Sequence, residues 1–243
     1  MGAARRVRKL RVLVLTHQDL VPPASLAGLD NRGVERIKKE FHVRTALEQL
    51  GHEIEVVGVS DDLLPIRHIV EELRPHVVFH LLMEFQDVAV YQAHVTSYLE
   101  LLRAPYAGCN PRGLLLARDK ALAKTIFRAH RIPTPHFFVV PRGRVGRLHR
   151  GFDFPLIVKS LEEEASLGIA QASVVHDEAR LAERIQFVHD HVGTDAIVEP
   201  YIEGRELTIA VLGNERLRTL PIWELVFENL PEGSMPIATA RAK

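Results

Sequence analysis

One cysteine, Cys109, in 243 residues leaves no partner for an internal disulfide, so a packed core has to hold the fold together. With no defined base beside it, the thiol reads as a buried structural group and not as a nucleophile. Charge of one sign is equally scarce. The 31 Lys and Arg residues face 31 Asp and Glu, which removes bulk attraction to nucleic acid, to an anionic membrane or to an acidic substrate. No apolar run approaches the length of a membrane span, and residues 10–15, behind a basic tail of Arg5, Arg6, Arg8 and Lys9, are too few for a signal-peptide core. The expectation is a soluble cytoplasmic protein. No GxGxxG follows the first apolar run, so a dinucleotide site of that kind is not expected. The histidines lack ligand spacing, and His189 and His191, two apart on an expected helix, cannot share a face. The arginines of residues 141–151 have no aromatic stacking partners, which favours a solvated turn over a nucleic-acid patch.

What is present begins with alternation. Residues 10–15 form a continuous β-branched and leucine-rich run, as expected of a strand buried on both faces. Val34, Ile37, Phe41, Ala46, Leu47 and Leu50 then recur at helical spacing, and Gly51 stops the helix. A strand over 52–59, a helix over 61–73, a strand over 77–82, a helix over 88–102 and a short strand near Tyr106 follow. This order predicts an open, Rossmann-like α/β domain with a parallel sheet over 1–112. In such sheets ligands gather beyond the strand carboxyl ends, where the chain offers Thr16, His17, Gln18 and Asp19, then Glu84, Phe85 and Gln86.

A second unit reads as α+β. Asp119 can cap a helix over 120–130, and strands are expected over 136–140, 157–159 and 169–175. Asp177 can cap a helix to about His191, a strand over 196–199 stops at Pro200, and antiparallel strands are expected over 206–212 and 216–223. No closing element follows them. Between two of the strands lies FPLIVKSLEEEASLGIA, residues 154–170, where Lys159 ends an apolar run ahead of an acidic loop. Such a lysine either reaches water from a strand end or binds phosphate beneath a mobile flap, with Ser166 and backbone N–H groups as further donors.

Four stretches in order, RDKALAKTIFRAHRIPTP, FPLIVKSLEEEASLG, AIVEPYIEGREL and TIAVLGN, resemble the ATP-grasp superfamily, most closely the D-alanine–D-alanine ligases and related carboxylate–amine ligases. The likeness covers residues 106–214 and, more loosely, the first domain. It implies a pre-ATP-grasp domain over 1–112, an ATP-grasp lid subdomain over 113–199 and the start of an incomplete C-terminal subdomain over 200–243. It implies ATP as ligand: Lys120 and Lys159 on the phosphates, the loop 163–168 with Ser166 closing over them, Glu199 accepting the adenine amino protons, the Ile202 N–H at the ring and Glu206 on the ribose hydroxyls. Two cations suit a reaction in which a γ-phosphoryl group transfers. Lys243 is a further nucleotide lysine by the same likeness. The family's Mg2+ ligands, an Asp, a Glu and an Asn, are expected beyond Lys243, so the chain reads as truncated and short of turnover.

The chain departs from the family at three places. Glu164 and Ala165 stand where a glycine and a serine are usual. The loop THQDLVPPASLAG lacks the acid and serine that hold the first D-alanine, and HLLMEF replaces a histidine–glycine pair. These departures argue against D-alanine as the substrate. The resemblance thus implies a ligase that forms an amide or peptide bond through an acyl phosphate, with ATP and a small carboxylate and amine, an amino acid among them, as partners. A homodimer is compatible with it; nucleic acid and membrane are not expected. The alternative is a non-catalytic ATP-binding module, or one part of a split ligase.

Overall fold

The computed structural model describes residues 8–164, 166–228, 230 and 233–238. It divides into two compact units, Met1–Ala117 and Arg118–Lys243. Lys243 and the arginines Arg5 and Arg6 lie outside the described residues.

The first unit runs β1 (Arg11–His17), α1 (Asn31–Gln49), β2 (Glu53–Val59), α2 (Leu64–Leu73), β3 (Val77–His80), α3 (Tyr91–Leu101), β4 (Tyr106–Ala107) and α4 (Pro111–Arg118). Its four strands lie parallel in the order β2-β1-β3-β4, as the alternation requires. Asp30 starts α1 by accepting from the Gly33 N–H (2.8 Å), and Gly51, at φ +80°, ends it in the left-handed conformation. α2 begins at Leu64 and not at Asp61, because Asp62 accepts from the Leu64 N–H (2.8 Å) and Pro65 is tolerated only in a first turn.

α4 was not expected as a helix. Asn110 caps it through Gly113 N–H (2.8 Å) with Pro111 in the first position, a pairing of cap and proline that reads equally well as a linker. Cys109 is exposed, which corrects the expectation of a buried thiol. A Cβ on residue 113 would meet the Cys109 Sγ at 2.2 Å, so a larger residue there requires the exposed thiol to turn away.

Leu13, Leu15, Val59, Ile66, Val78, Leu82, Val95 and Leu99 form one core on the α2 and α3 side of the sheet. His80, in register with Leu15, follows Val78 at the end of β3. Burial pushes its imidazole down to about 4, the Gln92 backbone opposing and the Lys39 charge adding to the shift. Between pH 6.5 and about 4 the unfolded chain therefore binds a proton that the folded chain refuses, and stability falls as pH drops, by about 3 kcal/mol once both states are protonated. His80→Gln is expected to remove that part of the acid sensitivity. Thermal unfolding at pH 7 and pH 4 checks it, and an equal pH dependence in both proteins would contradict the assignment.

The second unit runs α5 (Lys120–Ala129), β5 (Phe138–Val140), β6 (Leu156–Ser160), β7 (Val174–Val175), α6 (Glu178–Phe187), β8 (Ala196–Pro200), β9 (Glu206–Thr208), β10 (Val211–Leu212), β11 (Arg218–Thr219) and β12 (Trp223–Leu225). β5-β8-β6-β7 form an antiparallel sheet. Leu156, Val158, Ala196 and Val198 share one face with Leu181, Ile185 and Val188 of the α6 region.

Three expectations are corrected here. Residues 169–175 are a strand only at Val174–Val175. Gln171–Ser173 is a 3-10 turn, because the Ser173 hydroxyl accepts from the Ala170 N–H (3.0 Å) and competes with the ladder. The helix after Asp177 gives way at Val188–Val192 to a π-helical turn, where His189 Nε2 donates to the Val140 carbonyl (3.0 Å). The last two long strands are each split. Val211 pairs with Thr219 but Thr208 with Trp223, so two residues oppose three between the pairs. The extra residue is a bulge on the returning strand, and Pro221, which has no N–H to give, falls within it.

Candidate functional site

Side-chain alternation builds the site. In β6 the residues between the core positions are Ile157 and Lys159, and in β8 they are Ile197 and Glu199. Both pairs therefore emerge on the sheet face opposite α6. Ile157 lies opposite Glu199 in the register, with Lys159 opposite Ile197, so Lys159 and Glu199 are diagonal neighbours on one face. The Lys159 ammonium meets Glu199 Oε1 at 2.9 Å.

A second lysine holds the other oxygen. Lys124 Nζ lies 3.1 Å from Glu199 Oε2 and donates to the Thr134 hydroxyl at 2.8 Å. Lys124 and Glu199 are buried. A carboxylate withdrawn this far from water is tolerated only while its charge is paired, and here both oxygens are occupied by cations. Lys120 stands near this cluster, between the Lys159 charge and the carboxylates of Glu163, Glu164 and Glu199. Lys120 is close enough to feel the others: burial first, then the Lys159 charge, holds its ammonium below the ordinary lysine range. Lys159, partly exposed on the same face, is the cation that an incoming anion can reach.

Lys159 and Glu199 line a cavity of about 480 Å³ together with Pro135, Ile157, Ile202 and Glu206. Ile169 and Ile237 close it further. The segment bearing Ile237 is tied in by Gln171, whose side-chain amide donates to the Met235 carbonyl (3.0 Å) and accepts from the Met235 N–H (2.8 Å). The cavity is thus an apolar slot with a paired carboxylate and a lysine on one wall and a second, exposed carboxylate, Glu206, at the start of β9.

Of the residues singled out in the sequence, Lys159, Glu199, Ile202 and Glu206 come together around this cavity. Lys120 stands beside it and donates to the Leu161 and Glu163 carbonyls, at the entrance to the loop 163–168. The same end is fixed by the Ser160 hydroxyl, which accepts from the Glu162 (3.3 Å) and Glu163 (2.9 Å) N–H groups. At the far end Arg184, buried on α6, donates to the Gly168 carbonyl and to the Ser173 hydroxyl. Ser166, at φ +66°, sits in the span between these ties and does not line the cavity. Ala165 lies outside the described residues.

Lys124 was missed. Its signal was available, since it follows Lys120 by four residues and shares its helix face. In the first unit, the strand-end polar residues support local structure. His17 accepts from the Asp19 N–H (3.2 Å), Asp19 pairs with Arg36 (3.2 Å), and Gln86 donates to the Asp61 carbonyl (3.2 Å). Among the described residues, no group of three or more His, Cys, Asp or Glu side chains could hold a metal ion. No helix among them is long and apolar enough to cross a membrane.

Residues 126–230 match the family described as D-ala D-ala ligase C-terminus. A D-alanine–D-alanine ligase of Oleidesulfovibrio alaskensis is 32% identical over 175 residues, which are 72% of this chain and 54% of that protein. An uncharacterized protein of Sinorhizobium fredii is 34% identical over 209 residues, 83% of this chain and 59% of its own length. The chain therefore spans little more than half of these relatives. Among solved structures, the D-alanine–D-alanine ligase of Coxiella burnetii superposes with a TM-score of 0.64 at 20% identity, covering 90% of this chain and 71% of that one. The Bacillus anthracis ligase complexed with ATP gives 0.61 at 20% identity, covering 88% and 65%. At that identity the structural likeness speaks for the fold.

Proposed function

Because the chain is a D-alanine–D-alanine ligase-like protein with an ATP-grasp fold, we propose that its second unit binds ATP in the Lys159–Glu199 cavity and serves ATP-dependent amide formation between a carboxylate and an amine. One observation carries the reading: a buried carboxylate paired with two lysines opens onto an apolar slot that also holds Ile202 and Glu206. Residues 113–199 would then form the lid part of the ATP-grasp domain and residues 200–243 the beginning of its C-terminal part.

The base lies among Ile157, Ile169 and Ile237, offers its amino protons to Glu199, and meets the backbone at Ile202. Glu206, exposed at the cavity edge, accepts from the ribose hydroxyls. Lys159 and Lys120 turn to the phosphates, Lys120 giving up its loop carbonyls to do so, and the loop 163–168 excludes water from them. A substrate carboxylate oxygen attacks the γ-phosphorus; the new O–P bond forms as the bond to the β-phosphate oxygen breaks, and ADP leaves. The amine lone pair then attacks the acyl carbon, the C–O bond to phosphate breaks, and the amine proton is lost as the amide forms. A reaction fed by ATP and an amino acid belongs in the cytoplasm.

A second reading is an ATP-binding module that turns nothing over. Phosphate release from ATP, measured across a panel of amino acids with magnesium present, separates the two. Release that depends on one amino acid supports the ligase. Saturable ATP binding with no release supports the module.

A further inference from the structure

Lys124 does not line the cavity, yet it carries half of the Glu199 pairing. The two lysines are not equivalent. The Lys124 side chain is 10% exposed and the Lys159 side chain 27%. Lys124 is also held by the Thr134 hydroxyl at 2.8 Å and lies 5.8 Å from the Phe137 ring centroid, a desolvated position with a cation–π contact. Lys159 lies on the cavity wall, where an incoming anion can reach it.

We propose that Lys124 is the positioning residue that lets Glu199 read a 6-amino purine: it keeps Glu199 Oε2 paired at all times, so that Lys159 can leave Oε1 for phosphate without stranding a buried carboxylate. The inference rests on the nucleotide reading above. With a lysine on each oxygen, Glu199 has its best-placed lone pair on the cavity side taken by Lys159 and is a weaker acceptor for an amine. Once Lys159 moves to the phosphates, Oε1 is free and Lys124 still neutralises the group. Without Lys124, Lys159 becomes the sole counter-ion of a buried carboxylate and has to stay, because an unpaired charge there is far costlier than a lost phosphate contact. The carboxylate, no longer pinned through Oε2, also turns toward Lys159, and neither oxygen is held toward the amine. A 6-oxo purine presents an acceptor to Oε1 in place of a donor, so a site built this way rejects it.

The test is equilibrium binding of ATP and of inosine triphosphate to the full chain. Wild type is expected to prefer ATP by about tenfold or more. Lys124→Met is expected to bring the ratio to about one to two, and Thr134→Val, which leaves the lysine but removes the hydroxyl that fixes it, to an intermediate value. A merely structural role would weaken both nucleotides together and leave the ratio unchanged, and that result overturns the proposal. If Lys124→Met does not fold, Thr134→Val decides alone: an unchanged ratio overturns, a lowered one supports. Equal binding of the two nucleotides by wild type also overturns the proposal while leaving nucleotide binding intact. Failure of wild type to bind either one contradicts the nucleotide reading itself, and the proposal falls with it.

Discussion

Glu199→Leu is expected to abolish ATP binding and to destabilise the second unit by about 3–5 kcal/mol, the usual consequence of removing one partner from a buried ionic cluster. Glu199 is 5% exposed and its oxygens lie 2.9 and 3.1 Å from two ammoniums. Its loss leaves the Lys124 ammonium, itself 8% exposed, with only the Thr134 hydroxyl among these contacts. Lys120, already depressed by burial and by the Lys159 charge, would also lose a neighbouring anion. Denaturant unfolding followed by circular dichroism measures the change. An unchanged midpoint would show that the carboxylate does not carry the lysines around it.

Lys159→Ala is expected to do the reverse: to leave the fold nearly as stable as wild type and to weaken ATP by about 10–100-fold, the worth of one or two charge-assisted hydrogen bonds. The asymmetry follows from the pairing. Removing Lys159 leaves Glu199 still neutralised by Lys124, so no charge is stranded, and the lost side chain was partly exposed to begin with. What disappears is the cation that can reach into the cavity. Titration calorimetry with ATP, beside the unfolding midpoint, reads both quantities. Unaltered affinity would remove Lys159 from the phosphate site, and a large loss of stability would mean that Lys124 cannot hold Glu199 alone.

The parts of the site legible in the sequence were those set by strand period and by spacing. Apolar residues at 156 and 158 require Lys159 to face away from the core, and the same alternation along β8 turns Glu199 to that side. The separation of Glu199 from Glu206 places the second carboxylate at the start of the next strand, where the structure has it. What pattern could not supply was the partner across the fold. Lys124 meets Glu199 from a helix 75 residues earlier in the chain, so its place on the Lys120 face of the helix was legible but its contact was not. Ile237 was missed for a related reason. It belongs to a polar, element-free stretch that the Gln171–Met235 pairing ties to the cavity.

Elements failed in the sequence where a side chain overrode propensity. Ser173 captures the Ala170 N–H and turns an expected strand into a 3-10 turn. Asn110 and Pro111 open a helix where their composition suggested only a boundary. The hairpin formed by β9 to β12 was legible as two strands, but its one-residue offset at Pro221 was not, since register depends on pairing and not on local pattern.

Amide hydrogen exchange of the full chain with and without ATP locates the nucleotide directly. Slowed exchange is predicted in Leu156–Ser160 and across 199–206, with the loop 163–168 slowing as it closes. Protection confined to Met1–Ala117, or no protection at saturating ATP, would contradict the assignment of the cavity.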